Sequence, residues 1–242
     1  MSFNLLAVRE LGAHPDPLYP DPAEQADSIE LGEGDGQASA PLLVNELVVH
    51  EIPPGGLPKR LLRLPDITAA LRTTDKRITV ACSKYDKGGG WAPWTPGAIP
   101  VALAANAVSK ARASKRRVGK MLVGEVPYQG LVSVGFKPRS TPLGRDQLRF
   151  GSFDPTIKTF RGLLLDVSLP RDHAGADIAR LIVAHAATRR LLSGDDALDD
   201  KAREHLRSLQ TPAPLQGQPK EFASYFIIPA DDAKLRAAYQ KG

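Results

Sequence analysis

The chain has 242 residues, 42 % of them hydrophobic and 24 % charged, with 32 Lys and Arg against 27 Asp and Glu. That is the composition of a soluble globular protein and enough chain for one large domain or two tightly packed subdomains, about 1–158 and about 159–242. One cysteine, Cys82, excludes an intrachain disulfide and a multi-cysteine zinc site.

No run of 18 apolar residues offers a membrane helix, and the N-terminus lacks a basic-then-apolar signal pattern. The expectation is a cytoplasmic protein without membrane contact. Charge is segregated along the chain. Residues 1–57 carry ten acids and one basic residue, residues 58–161 twenty basic residues and six acids, and residues 162–242 eleven of each. A block with an excess of fourteen positive charges creates a field that a polyanion, an acidic partner protein or the acidic N-terminal part itself can meet.

In chain order, FNLLAVR at 3–9 has the pattern of a first strand. Four prolines between Pro15 and Pro22 forbid a helix or central strand in the acidic stretch that follows, so 12–40 reads as a long loop, insertion or disordered segment. LLVNELVVHEI at 42–52 has high β propensity, PPGGLP at 53–58 is a turn, and KRLLRL at 59–64 is a short strand or the approach to one. DITAALR at 66–72 predicts a short helix capped by Asp66. RITVACS is a strand, with Cys82 as a small buried hydrophobe.

KYDKGGGWAPWTPG at 84–97 is an irregular loop. Trp91 and Trp94 can stack on bases beside Lys84 and Lys87, or can plug the loop onto the core. The triple glycine lacks the Lys-Ser/Thr of a phosphate-binding loop.

The stretch 103–120, LAANAVSKARASKRRVGK, predicts a helix with six Lys or Arg between Lys110 and Lys120 and no acid. Leu103, Ala107, Ala111, Ser114 and Val118 share one face. Arg112, Arg116 and Lys120 form an i,i+4 row flanked by Lys110 and Lys115, a like-charge spacing that disfavours the isolated helix. With Arg117, these residues point to a nucleic-acid backbone, RNA favoured over DNA. A solvated face with counterions is the plain alternative. MLVGEVPYQ and GLVSVGFK predict a hairpin turning at Gly130, and PRSTPLGRDQ is a loop with Arg139, Arg145 and Arg149 in or beside it as further phosphate contacts. LRFGSF and TIKTFRGLLLDVSL are strands.

The last third turns helical. A helix capped near Asp177 and running to about Leu192 places Ile178, Leu181, Ile182, His185, Ala186, Arg189 and Leu192 on one face, which makes His185 a core histidine. A second helix from Asp199 buries Leu198, Ala202, Leu206 and Leu209, FASYFIIP is a late strand, and DDAKLRAAYQ a terminal helix. The expected fold is α+β: mainly antiparallel sheet, an inserted basic helix and a helical C-terminal third. It is compatible with a ferredoxin-like arrangement, by analogy with RNA-binding subunits of CRISPR-type ribonucleoproteins.

No metal-ligand spacing, nucleophile elbow, dinucleotide fingerprint or cofactor motif is present. His173, in a polar loop before a helix, is the candidate for general acid or base work. The resulting expectation is a nucleic-acid-binding subunit of a larger ribonucleoprotein or DNA-bound assembly, with other protein subunits as partners. The alternatives are a metal-independent nuclease acting on RNA, and a phage or other structural assembly protein whose basic face binds an acidic partner protein.

Overall fold

A computed structural model of the chain describes residues 6–10, 42–52, 57–64, 69–74, 76–82, 111–112, 115, 120–153, 162–171, 174–192, 198–219 and 221–227. In chain order the strands are β1 Leu6–Glu10, β2 Leu42–Val44, β3 Glu46–Ile52, β4 Lys59–Leu64, β5 Ala69–Thr73, β6 Arg77–Cys82, β7 Lys120–Pro127, β8 Leu131–Lys137, β9 Gln147–Phe153 and β10 Gly162–Ser168. Helices α1 Gly175–Leu192 and α2 Asp200–Gln210 follow, and strand β11 Ala223–Phe226 closes the described part. The fold is thus mostly antiparallel sheet with two helices.

Every strand pairing is antiparallel. A five-stranded sheet has the order β1-β7-β6-β5-β2 and a six-stranded sheet the order β11-β8-β9-β10-β3-β4. The chain passes from the first sheet to the second at two corners. At β2–β3 the corner is Asn45, whose N–H donates to the Ser168 carbonyl at 2.9 Å. At β7–β8 it is a single 3-10 turn, Tyr128–Gly130, anchored by the fully buried Tyr128 and by its N–H donating to the Lys76 carbonyl at 2.9 Å. The expected β7–β8 hairpin is therefore not formed. The 3-10 turn bends the chain out of one sheet instead of reversing it, and the two strands find partners in different sheets.

Alternation along the six-stranded sheet sorts its faces. Directly opposed residues share a face, so Phe136, Leu148, Val167 and Leu47 form one apolar row, and Val134, Phe150, Leu165 and Val49 the next. All eight are buried, and each large side chain fully removed from water contributes roughly 1.5–3 kcal/mol. They belong to one cluster with Leu71, Ile78, Val80 and Cys82 of the other sheet and with residues of both helices.

Helix α1 supplies Ala179, Ile182, Val183, Ala186 and Ala187 to that cluster. Three of these are alanines, which let the helix backbone approach the strands. Leu181, His185 and Leu192 face away and are exposed. Of the expected face Ile182 and Ala186 are buried, whereas packing turned the rest towards Ala179, Val183 and Ala187, one step round the helix. His185 is accordingly not a core histidine.

Helix α2 begins as expected. Asp199 Oδ1 accepts from the Ala202 N–H at 2.7 Å, a cap worth about 1 kcal/mol, and Ala202, Leu206 and Leu209 are buried. Strand β11 is tied to the helical region by the Tyr225 hydroxyl, which donates to the Ala213 carbonyl, and by His205 Nε2, 2.7 Å from the Phe226 carbonyl oxygen.

The helix expected over 66–72 is overturned: Ala69–Thr73 is a strand between β2 and β6. Seven residues are too few for a helix to be stable by propensity alone. Here Ala69, Ala70 and Leu71 are all buried, as an interior strand requires. The turn into β6 is set by Thr74, whose Oγ1 accepts from the N–H groups of Lys76 and Arg77, each at 3.1 Å. The segment 12–40 and the expected terminal helix lie outside the described residues.

Candidate functional site

The other face of the six-stranded sheet carries polar side chains. Ser224, Gly135, Arg149, Asp166, Val48 and Arg63 are opposed in one row, and Ser133, Gly151, Leu164, His50 and Arg60 in the next but one. At the centre Arg149 grips Asp166 with a two-pronged contact. Nε donates to Oδ1 at 2.7 Å and Nη2 to Oδ2 at 2.8 Å. The arginine side chain is only 4 % exposed and the carboxylate 13 %.

The Phe222 ring lies over this guanidinium, 3.9 Å from Cζ to the ring centroid, with Lys137 Nζ at 5.6 Å from the same ring. Gly135 makes the stack possible. A Cβ there would stand 3.0 Å from Ser224 Oγ, 3.3 Å from Arg149 Cβ and 3.3 Å from Phe222 Cδ1.

His50 completes the cluster. Its Nδ1 is 3.7 Å from Asp166 Oδ2, an electrostatic contact longer than a hydrogen bond. Burial holds its pKa below the ordinary histidine value, opposed by the Asp166 carboxylate and reinforced by Arg149 and Arg60. Among the described residues neither His50 Nδ1 nor Arg149 Nη1 has a hydrogen-bond partner, although both are buried.

A β-bulge brings in Arg60. The register between β3 and β4 shifts between Val49 and His50, so that Arg60 opposes His50. In an unbulged ladder continuing from Leu62↔Val49, Leu61 would hold that place. The bulge thus turns a cation onto the face that an apolar residue would otherwise occupy.

The expected phosphate contacts fare unevenly. Arg112 and Lys115 are helical and exposed. Lys120 does not continue that helix; it opens β7, opposite Glu10 of β1, because its backbone is taken up by the sheet. Arg139 and Arg145 are exposed in the loop joining β8 to β9. The Arg139 N–H donates to Asp146 Oδ1 at 3.0 Å and its Nη1 to the Arg171 carbonyl at 3.2 Å. Arg149 is corrected from surface cation to buried partner of Asp166. A guanidinium already neutralised by a carboxylate and covered by a ring does not track a phosphate backbone. Lys84, Lys87, Trp91, Trp94, Lys110, Arg116, Arg117 and His173 lie outside the described residues.

His50, Arg60 and Asp166 were missed as a group. A lone Asp inside GLLLDVS and a lone Arg inside QLRFGSF were the signals for a buried cross-strand pair, since a strand interior tolerates a charge only when it is paired. Among the described residues no cluster of three or more His, Cys, Asp or Glu side chains could hold a metal ion, and no helix is long and apolar enough to cross a membrane. No family model matches the chain, and no curated protein or solved structure matches it.

Proposed function

We propose that this chain binds nucleic acid, RNA in the first instance, through its phosphate backbone and as a subunit of a larger assembly. The observation that carries the reading is a set of exposed cations. Lys59, Arg60, Arg112, Lys115 and Arg145 all belong to the basic block, are exposed, and have no carboxylate partner among the described residues.

Arg145 lies in the β8–β9 loop at one end of the six-stranded sheet, and Lys59 and Arg60 lie towards the other end on its edge strand β4. Four strand spacings and several residues of rise put them roughly 20–25 Å apart. A free phosphate or mononucleotide cannot span that separation, whereas an extended strand can. The ferredoxin-like comparison belongs to the same proposal.

The test is binding of labelled single-stranded RNA and DNA across a salt series. Each phosphate contact to a single strand contributes about 0.7 to the slope of log affinity against log salt. Replacing Arg112, Lys115 and Arg145 together by Ala should lower the slope by about 2 and weaken all sequences alike. Wild-type protein that binds neither polymer at low salt refutes the reading. The basic block would then belong to an acidic partner protein.

A further inference from the structure

We propose that the His50 edge of the six-stranded sheet cleaves RNA, with His50 Nε2 as general base, Arg60 as the contact to the scissile phosphate and Asp166 as positioning residue. This rests on the RNA-binding reading above and gives it a reaction.

Three independent features meet at this edge. The first is a histidine whose buried nitrogen lies in the field of a carboxylate. Nδ1 is buried and lies 3.7 Å from Asp166 Oδ2, which leaves Nε2, on the opposite side of the ring, as the nitrogen to accept a proton. The side chain keeps 17 % of its surface exposed. The second is a carboxylate that is itself fixed. Arg149 holds both Asp166 oxygens at 2.7 and 2.8 Å, Phe222 covers Arg149, and Gly135 makes room for Phe222. The third is the bulge that sets Arg60 opposite His50. An orienting carboxylate, a base and an exposed cation are parts that a metal-independent phosphodiester cleavage uses, with water as the acid.

In the reaction, His50 Nε2 takes the proton of a ribose 2′-OH. The 2′ oxygen forms a bond to phosphorus and the bond from phosphorus to the 5′ oxygen breaks. The 5′ oxygen takes a proton from water, and the hydroxide so formed takes the proton from the His50 imidazolium. The products are a 2′,3′-cyclic phosphate and a 5′-hydroxyl, with no metal, oxidant or net water consumed. Arg60 offsets the charge developing on the non-bridging oxygens.

Asp166 acts through His50. Its attraction is weak while the ring is neutral and grows as the ring becomes an imidazolium, so it favours the transition state over the ground state. Among the described residues, the charged groups that act on the ring are Asp166 on β10, Arg149 on β9 and Arg60 on β4. The two arginines and burial keep the ring neutral and able to accept a proton near neutral pH.

The experiment uses the full chain in EDTA with a 5′-labelled single-stranded RNA, the matching DNA, and the DNA carrying one ribonucleotide. The RNA should be cut to cyclic-phosphate ends, the chimaera cut only after its ribonucleotide, and the DNA left intact. His50→Gln should lower the rate by about 10²–10⁴-fold with RNA affinity and melting temperature unchanged.

Asp166→Asn should move the acid limb of the pH–rate profile to lower pH, because the carboxylate that raises the His50 pKa is lost. A merely structural role would lower the amount of folded protein and leave the limb in place. If that variant does not fold, Arg60→Ala carries the test, with an expected rate loss exceeding its loss of affinity. Wild-type protein that binds RNA and leaves it intact, or His50→Gln that cleaves at the wild-type rate, overturns the proposal. Failure to bind RNA at all is a different result and removes the RNA-binding reading with it.

Discussion

Asp166→Ala tests the central cross-strand pair most directly. The substitution removes both acceptors of a guanidinium whose side chain is 4 % exposed. Breaking a buried pair by deleting one partner costs about 3–5 kcal/mol, because the remaining charge stays desolvated. The Phe222 ring, 3.9 Å from the guanidinium carbon, remains and offsets about 0.5–2 kcal/mol of this. We therefore expect a net loss of about 2–4 kcal/mol. With a urea m-value of about 3 kcal/mol per molar for a chain of this size, the midpoint should fall by roughly 1 M.

Urea titration followed by far-UV circular dichroism measures the shift, and an unchanged m-value shows that the same cooperative unit unfolds. The paired replacement Arg149→Met with Asp166→Leu should recover most of the loss, since apolar replacements of a buried ion pair are often neutral or stabilising. A single substitution costing under about 1 kcal/mol, or a paired one costing more than the single, would refute the reasoning.

Gly175→Ala should destabilise by about 1–3 kcal/mol, although Ala outranks Gly in a helix interior: the new Cβ would stand 2.8 Å from Phe136 Cε2 and 3.2 Å from Asp146 Cβ, an overpacking that thermal unfolding will register. His50 links stability to pH. Its folded pKa lies below the unfolded value of about 6.5, so the unfolded chain binds more protons as the solution is acidified. The stability contribution is full above about pH 6.5 and is lost as pH falls through the folded pKa. His50→Gln should flatten that part of the stability–pH curve in urea titrations between pH 7 and 5, and a curve identical to wild type would sink the linkage.

How much of this was legible in the sequence differs by scale. β propensity placed β3, β6, β9 and β10, and the Asp199 cap placed the start of α2, because those signals act within a few residues. What lay beyond reach were choices made by distant partners. β7 and β8 have the composition of a hairpin, but Tyr128 is buried at a corner and commits each strand to a different sheet. Residues 69–72 satisfy a short helical pattern, and two flanking strands overrode it. On α1 the expected face contributes Ile182 and Ala186, yet close approach to the sheet turned it from Leu181 and Leu192 towards Ala179 and Ala187.

The candidate site was hidden for the same reason in a sharper form. Arg149 and Asp166 stand 17 residues apart, and His50 lies 99 residues before the first and 116 before the second. Each alone reads as an ordinary polar residue, and Arg149 read as one more cation beside a basic loop. Antiparallel register is what converts three separate strand patterns into one row of contacts. The register then shifts by one residue at Val49/His50 and exchanges Leu61 for Arg60 opposite His50. Net charge along the chain could suggest a polyanion as ligand, because a field sums over residues whatever their order in space. It could not distinguish the exposed Arg145 from the buried Arg149 four positions later, because that distinction depends on whether a carboxylate waits on the neighbouring strand.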